Sequence, residues 1–508
     1  MKNITLTTLN ARYSHTSLAL RYLFANLKEL QQHADIVEFT INDNIQDITE
    51  QLLTKPLLAE NVRIIGIGVY IWNAIQVSEL IQTLKKISPE TIIILGGPEV
   101  SYDPIRINMS VADYIIRGEG ELAFYEVCKT ILNHQMPVTR VVDAGTVSLD
   151  AIELPYRYYT DEDVKNRHIY VEASRGCPFS CEFCLSSIDH RVRNLFINRL
   201  LDEFEILWRR GVRNFKFIDR TFNLSPKISN QILDFFLTKS DDYFVHFEVI
   251  PDHFPISIQQ RIKQFKPASL QLEIGIQTLN IDVAATIQRK LNIAKIKTNI
   301  AFLEEHTHAH MHLDLIVGLP GESLESFAQG LNQLCSLTNA EIQIGILKSL
   351  SGTSLSRHNT VYNMVYSDIP PYDILKSDQL SFDDIQKMKR FARFWNLYKN
   401  SGNFKKSITL LWPNNDVFER FFAFSLWIYA QTNATWQISL DRLAALLFDY
   451  LIHIEHDDKQ YIADCLVQDL MKIEGRVLPA FLRPYTPYTS KKTQVKASGH
   501  NKRQLRHL

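Results

Sequence analysis

Three of the six cysteines in this sequence fall within eight positions, in Gly176-Cys177-Pro178-Phe179-Ser180-Cys181-Glu182-Phe183-Cys184. A C-x3-C-x2-C run puts three thiolates on one short loop, and Gly176 and Pro178 favour a turned backbone over a helix that would fan the side chains apart. Three thiolates can hold three corners of a four-iron cluster and leave one iron open, as catalytic metal sites leave a position for substrate or cofactor. Structural zinc normally takes four protein ligands. No second C-x2-C pair lies elsewhere to complete such a site, although His190 follows six residues after Cys184. The other cysteines, Cys128, Cys335 and Cys465, sit in helical patterns and read as small buried hydrophobes.

A thiolate loop needs a rigid frame, and the flanking sequence supplies one. From Ile169 onward, strand-like runs alternate with amphipathic stretches: Ile169–Ala173, Asn214–Ile218, Val245–Ile250, Ser269–Gly275, Met311–Val317 and Glu341–Leu347. Six βα units predict an open or incomplete barrel whose functional face is the carboxyl ends of its strands. The segment before Gly211 shows the pattern: Leu200, Leu201, Phe204, Leu207 and Trp208 recur at helical spacing, and Gly211 stands where a left-handed cap belongs. Upstream, Ile4–Leu9, Ile36–Ile41, Val62–Tyr70, Ile92–Leu95 and Tyr114–Ile116 predict five strands of a doubly wound parallel sheet. In such sheets ligands bind beyond the carboxyl ends of the strands. Those ends place Asn10, then Tyr70, Trp72 and Asn73, then Gly96, Gly97, Pro98 and Glu99, and finally Gly118, Glu119 and Gly120 around one pocket. Residues 143–166 read as a linker between a first domain, 1–142, and a barrel, 167–360. Helical patterns dominate 361–486, and the basic stretch 487–508 reads as a disordered tail.

Composition limits the remaining possibilities. A net charge of -1, with 45% hydrophobic and 22% charged residues, is that of a globular protein and creates no overall field for nucleic acid. Only the tail is basic, so no nucleic-acid partner is expected. The longest uncharged apolar runs fall well short of the ~20 residues that a bilayer-spanning helix needs. The N-terminal residues lack the apolar region and cleavage site of a signal peptide, so the expected location is cytoplasmic.

The cysteine run, with a strand before it and the aromatic Phe183 before its last cysteine, resembles the radical S-adenosylmethionine superfamily. The preceding αβ domain makes the chain similar to its cobalamin-binding members. The resemblance implies a flavodoxin- or Rossmann-like domain followed by a partial (β/α)6, TIM-like barrel and a helical C-terminal region. It also implies that Cys177, Cys181 and Cys184 hold a 4Fe-4S cluster, with S-adenosylmethionine chelating the open iron. One electron from the cluster would then cleave the sulfonium to a 5'-deoxyadenosyl radical. Phe183 would line the adenine, and Asp219 would meet the amino group of S-adenosylmethionine unless Arg220 is its salt-bridge partner. Glu248 would take the ribose, and Glu273 and Gln277 would face the ligand from the inner strand face. The turn Gly318-Leu319-Pro320-Gly321 would flank the adenine, with Glu322 in the first turn of the following helix.

In the first domain the glycine segments would admit a corrin, with Tyr70, Trp72 or Asn73 on its lower side. Cobalamin proteins that supply a histidine ligand carry D-x-H-x-x-G. No D-x-H occurs in these 508 residues, so no histidine ligand from that motif is expected. The implied activity is methyl transfer to an unactivated carbon of a small-molecule or peptide substrate, with an external one-electron donor such as a flavodoxin or ferredoxin. A cobalamin-dependent rearrangement or oxidation without methyl transfer, or a structural metal site, are the alternatives.

Overall fold

In the computed structural model, which describes residues 2–54, 62–455, 458–473 and 476–486, the alternating runs of the first 145 residues fold into β1 (Ile4–Asn10), α1 (Leu18–Ala25), β2 (Ala34–Thr40), α2 (Ile45–Leu53), β3 (Ile64–Gly68), α3 (Ala74–Ile87), β4 (Ile92–Gly96), the single turn α4 (Pro98–Ser101), β5 (Tyr114–Gly118), α5 (Glu121–Leu132) and β6 (Val141–Gly145). The strands form one parallel sheet in the order β2-β1-β3-β4-β5-β6. All seven residues of β1 are buried, because helices cover both faces. Strand alternation decides which residues meet which helices. Ile65, Ile67, Ile93 and Leu95 pack with Leu80 and Leu84 of α3, whereas Ile64 and Ile94 pack with Leu20 of α1 and Phe124 of α5. The strand order reverses between β1 and β3, the switch point at which such sheets bind ligands.

The sequence reading ended this sheet at five strands. A sixth, β6, adds to the edge with mostly exposed residues, so it lacks the apolar signature that revealed the others. The expected linker is also a packed segment. Leu149, Ile152, Leu154, Tyr156 and Tyr159 within it are buried. Its helix α6 (Asp161–Asn166) has a Thr160–Asp163 capping box. Asp163 and Glu38 each lie 2.8 Å from the buried guanidinium of Arg21.

The chain divides into two compact units: Met1–Arg220 with Lys348–Ser356 and Tyr366–Asp373, and Thr221–Leu347 with Arg357–Val365 and Ile374–Leu508. The first unit holds two of the six expected barrel strands. After β7 (Ile169–Val171) comes a small antiparallel hairpin, β8 (Ser174–Arg175) with β9 (Arg193–Asn194), then α7 (Ile197–Arg209) and β10 (Asn214–Phe217), which pairs parallel to β7. Helix α7 buries Leu200, Phe204 and Leu207, and Gly211 follows it at φ +99°.

The second unit holds the other four barrel strands within α8 (Pro226–Leu237), β11 (Phe244–Val249), α9 (Ile256–Ile262), β12 (Leu270–Gln277), α10 (Ile281–Thr286), α11 (Ile293–His306), β13 (His310–Val317), α12 (Leu324–Leu337) and β14 (Glu341–Ile346). Strands β11 to β14 form a parallel ladder in chain order. The same unit ends in α13 (Phe382–Tyr398), α14 (Val417–Thr432), α15 (Leu440–His453) and α16 (Lys459–Met471), packed around Phe391, Trp395, Phe421 and Phe424. The fold is thus the expected sequence of doubly wound sheet, parallel barrel strands and helical C-terminal region. Among the described residues no helix is long and apolar enough to cross a membrane. The expected disordered tail lies outside the described residues.

Candidate functional site

The hairpin of β8 and β9 closes the loop that carries the cysteines. At its start Gly176 adopts φ +88°, and a Cβ there would collide with the Arg191 carbonyl, so this position admits only glycine. The Cys177 N–H donates to the Asp189 carbonyl at 2.9 Å. Farther on, the Cys184 N–H donates to the Cys181 carbonyl at 3.1 Å, and the Ser187 hydroxyl donates to the carbonyls of Cys181 and Cys184. Cys177 and Cys181 are buried, Cys184 and Phe183 are half-buried, and all three cysteines are free of disulfides. Burial pushes the Cys177 thiol up, and the charges of Cys184 and Cys181 push it further. Among the described residues, the set of three or more potential ligands whose atoms lie within 4.8 Å of one another contains none of these cysteines. The three sulfurs are thus not gathered within 4.8 Å of one another, as ligands of a single zinc would be.

Asp219, expected to meet an ammonium group, is fully engaged just before this loop. Its carboxylate accepts from the Ala173 N–H at 2.9 Å and from the Ser174 hydroxyl at 2.6 Å. Burial raises its pKa to about 7 despite these hydrogen bonds. Its evident work is to hold β10 against the entry to the cysteine loop.

The hairpin is fixed to the first sheet by two arginines that the sequence reading did not single out. Arg175 on β8 lies 2.7 Å from Glu121, 2.9 Å from Glu172 and 3.5 Å from Glu119, with its guanidinium 4.8 Å from the Tyr22 ring centroid. Arg193 on β9 reaches Glu119 at 2.5 Å and Asp189 at 3.0 Å. Glu119 thereby becomes the joint between the end of β5 and the cysteine hairpin. These two arginines hold its carboxyl below its ordinary range against the opposing effect of burial.

Beside this joint lies a cavity of about 350 Å³, lined by α1, the carboxyl ends of β3, β4 and β5, and Glu172 and Arg175. Strand alternation explains it. Gly66 and Gly68 share the face of Ile64 on β3, and Gly96 shares the face of Ile94 on β4, so the side turned to α1 and α5 lacks side chains there. Of the expected pocket residues, Tyr70, Gly96, Gly97, Pro98, Gly118, Glu119 and Gly120 line the cavity. Gly97, at φ +109°, lies so close to β3 that a Cβ would stand 2.5 Å from the Val69 carbonyl oxygen.

Four other expected residues are placed differently, and their hydrogen bonds explain it. The Asn73 side chain is completely buried and donates to Thr8, Leu9 and Gly68, while its oxygen accepts from the Tyr70 N–H. Asn10 donates to Glu38 and to the His15 carbonyl. Glu99 accepts from the Tyr372 hydroxyl at 2.9 Å. These three act within the scaffold instead of facing the cavity. Trp72 is 43% exposed, stacks on Tyr70 at 4.5 Å between ring centroids, and donates from its indole to the Leu9 carbonyl.

In the second unit, β11 and β12 bring Glu248 and Glu273 side by side in register. Glu273 accepts from Gln343 at 3.1 Å and lies 3.1 Å from His246 Nε2. Burial opposes its charge, yet His246 and His312 hold its carboxyl far below the usual range. Asp314, which the sequence reading left out, is pushed well up by burial and by the charges of Glu273 and Glu248. Gln277 ends β12 at φ +72°, where a bulge shifts the pairing with β13. A left-handed glutamine at a bulge is strained, and such positions cluster at functional sites. Gly318 and Gly321 have φ of +90° and +78°, and the side where a Cβ would stand is filled by Ile374 and Tyr362 respectively, while Pro320 is buried. The turn is therefore packed against protein on that side.

Glu322 precedes the Ser323 cap of α12, outside the first turn in which it was expected. It is buried, accepts from Thr278 at 2.6 Å, and has its pKa raised by burial to about 7. An acid whose folded pKa lies above its unfolded value costs stability as pH rises from about 4.5 to about 7. Glu322→Gln keeps the acceptor and removes the ionisation. Thermal melts should show the variant gaining about 3 kcal/mol over the parent at pH 8 and almost nothing at pH 4.5. Equal differences at both pH values would refute this assignment.

Comparison with known proteins gives three matching family models. Residues 4–128 match the B12 binding domain, residues 171–334 the radical SAM superfamily, and residues 360–507 a family described as a protein of unknown function, DUF4080. A cobalamin-dependent radical SAM methyltransferase, TokK, from Streptomyces tokunonensis is 26% identical over 56% of this chain and 47% of its own. An uncharacterized methyltransferase, PH0819, from Pyrococcus horikoshii is 23% identical over 74% of this chain and 86% of its own. The chain thus spans about half the length of the first of these relatives. Among solved structures, the cobalamin-dependent S-adenosylmethionine radical enzyme OxsB with aqua-cobalamin and S-adenosylmethionine bound superposes with a TM-score of 0.60 at 14% identity, covering 92% of this chain and 79% of that one. That likeness is one of fold.

Proposed function

Because the chain belongs to the radical S-adenosylmethionine proteins that carry a cobalamin-binding domain, we propose that it is an enzyme transferring a methyl group to an unactivated carbon of a small-molecule or peptide substrate. One observation carries this reading. The hairpin bearing the three cysteines is clamped by Arg175 and Arg193 to Glu119, which lines the glycine-walled cavity of the first sheet. Two cofactor-sized features are thereby held in one compact unit.

Cys177, Cys181 and Cys184 would hold the cluster, and the glycine segments Gly96–Gly97 and Gly118–Gly120 would admit cobalamin to the backbone. The cavity suits the flat lower base of a detached cobalamin tail better than a corrin, given its volume of about 350 Å³. Tyr70 and Trp72 would cover the lower side of the corrin and keep water from it, with no D-x-H histidine in the chain to ligate the metal. Phe183, Gln277 and the Gly318–Gly321 turn are assigned to S-adenosylmethionine, with Glu248 and Glu273 supplying acceptors and Asp219 orienting the loop. When bound, the cluster supplies one electron for cleaving S-adenosylmethionine and the cobalamin supplies a methyl carrier. An external donor such as a flavodoxin or ferredoxin would deliver the electron.

The test is mass spectrometry of small products after anaerobic reconstitution, with S-adenosylmethionine and a strong reductant, with and without hydroxocobalamin. 5'-Deoxyadenosine together with cobalamin-dependent S-adenosylhomocysteine supports methyl transfer. 5'-Deoxyadenosine alone points to a radical reaction without it, and neither product sinks the enzymatic reading.

The cavity makes its own prediction. A Cβ at Gly96 would meet only the Ile116 carbonyl oxygen, at an ordinary 3.7 Å, so Gly96→Leu should fold while filling the space. Equilibrium binding of hydroxocobalamin should weaken about tenfold or more, since occupied volume must be vacated or the base excluded. Iron content should not change. Unaltered binding would mean that the cavity is not part of the cobalamin site.

A further inference from the structure

The segment leading into β13 reads His306-Thr307-His308-Ala309-His310-Met311-His312. Strand alternation turns Met311 and Leu313 into the apolar core and puts His310 and His312 together on the opposite face. There they meet Glu341, the first residue of β14, which is 1% exposed. His310 Nε2 lies 3.0 Å and His312 Nε2 3.5 Å from Glu341 Oε1, and the ligand atoms of all three residues fall within 4.8 Å of one another. Donors bound at about 2.0–2.1 Å around a tetrahedral ion stand about 3.3 Å apart, so the two histidine–glutamate separations are close to a tetrahedron's edge.

We propose that His310, His312 and Glu341 form a binding site for a divalent cation of the zinc class, separate from the cysteine cluster. A second observation supports it. His312 is 8% exposed, and its Nε2 is buried with no hydrogen-bond partner among the described residues. A buried ring nitrogen in that state is costly, and a cation relieves it. Binding there places the ring proton on Nδ1, which has Glu273 Oε2 at 3.7 Å and can donate to Gln271 once that amide turns its oxygen into the position, 3.1 Å away, that its nitrogen holds. Carboxylate or amide partners behind a ligating histidine are the usual outer shell of zinc sites. Two histidines, one glutamate and a water make up a zinc set with one exchangeable position. His310 and Glu341 line a cavity of about 250 Å³, shared with His308, Glu304, Lys399 and Lys405, through which that water can exchange.

The site lies at the amino end of β13, whereas the Gly318–Gly321 turn follows its carboxyl end, about 25 Å of extended chain away. A cation there ties β13 to β14 without touching the turn.

The experiment uses the full chain, reconstituted anaerobically with iron and sulfide, then incubated with zinc chloride and passed through gel filtration before elemental analysis. Parent, Cys181→Ala, His310→Ala and Glu341→Gln are compared, with circular dichroism reporting the fold of each. Zinc should be retained at one per chain in the parent and in Cys181→Ala, and should fall to background in His310→Ala and Glu341→Gln while their iron remains. Zinc addition should also raise the melting temperature of the parent but not of Glu341→Gln, which preserves shape and hydrogen bonding should His310→Ala fail to fold. Zinc absent from the parent, retained in Glu341→Gln, or lost with Cys181 would overturn the proposal.

Discussion

Cys181→Ala should abolish 5'-deoxyadenosine formation while leaving a folded, colourless chain. The loop around this residue is held by backbone groups: the Cys181 carbonyl accepts from Cys184 and Ser187, and neither bond uses the thiol. Removing the sulfur therefore deletes a cluster ligand without releasing the turn. The remaining two thiolates cannot occupy three corners, so reconstituted iron should fall to background. Product formation should drop by about a thousandfold or more, the scale of losing a group that the chemistry requires. Iron and 5'-deoxyadenosine are measured on the same anaerobic preparation, with circular dichroism as the control for folding. An unfolded variant would favour a structural metal, and an active one would remove the triad from the chemistry altogether.

The second large effect is on stability. Arg175→Met keeps the length of the side chain but leaves Glu121 and Glu172, both nearly buried, without the guanidinium that lies 2.7 and 2.9 Å away. Breaking a buried pair from one side costs about 3–5 kcal/mol, because uncompensated charge stays in a poorly solvated place. Both of these acids lose their guanidinium, while Glu119 keeps Arg193, so the loss should lie at the upper part of that range in denaturant unfolding at pH 7. The triple change Arg175→Met, Glu121→Gln, Glu172→Gln should recover most of it, since the penalty comes from the orphaned charges and not from the missing attraction. If the single variant costs less than about 1 kcal/mol, the cluster behaves as a surface network and the proposed clamp is wrong.

Much of the architecture was legible because it rests on local periodicity. Apolar β-branched runs such as Ile64–Gly68 and Ile92–Gly96 announced central strands, and the spacing of Leu200, Phe204 and Leu207 announced α7. Strand β6 escaped because an exposed edge strand needs no apolar face. Residues 143–166 looked like a linker because tyrosines and charges read as loop until their partners are seen. Tyr156 hydrogen-bonds the backbone of Glu172, and Asp163 pairs with Arg21.

The candidate site divides along the same line. Cysteine spacing on one short loop, and glycines at strand ends, depend on chain order within a few residues, and so the sequence alone carried the cluster motif and the cavity wall. Which polar residues face a ligand and which satisfy the scaffold depends on partners far away in sequence. Asn73 and Glu99 looked alike as strand-end polar groups, yet folding brought Asn73 under Thr8 and Leu9, and Glu99 against Tyr372. Arg175 and Glu119, 56 positions apart in the chain, became a joint only when β5 and the cysteine hairpin met. His310, His312 and Glu341 became one constellation only through the register of β13 with β14. Periodicity sets the elements because it is a property of neighbours along the backbone, whereas a ligand set is a property of neighbours in space, which only the packed structure selects.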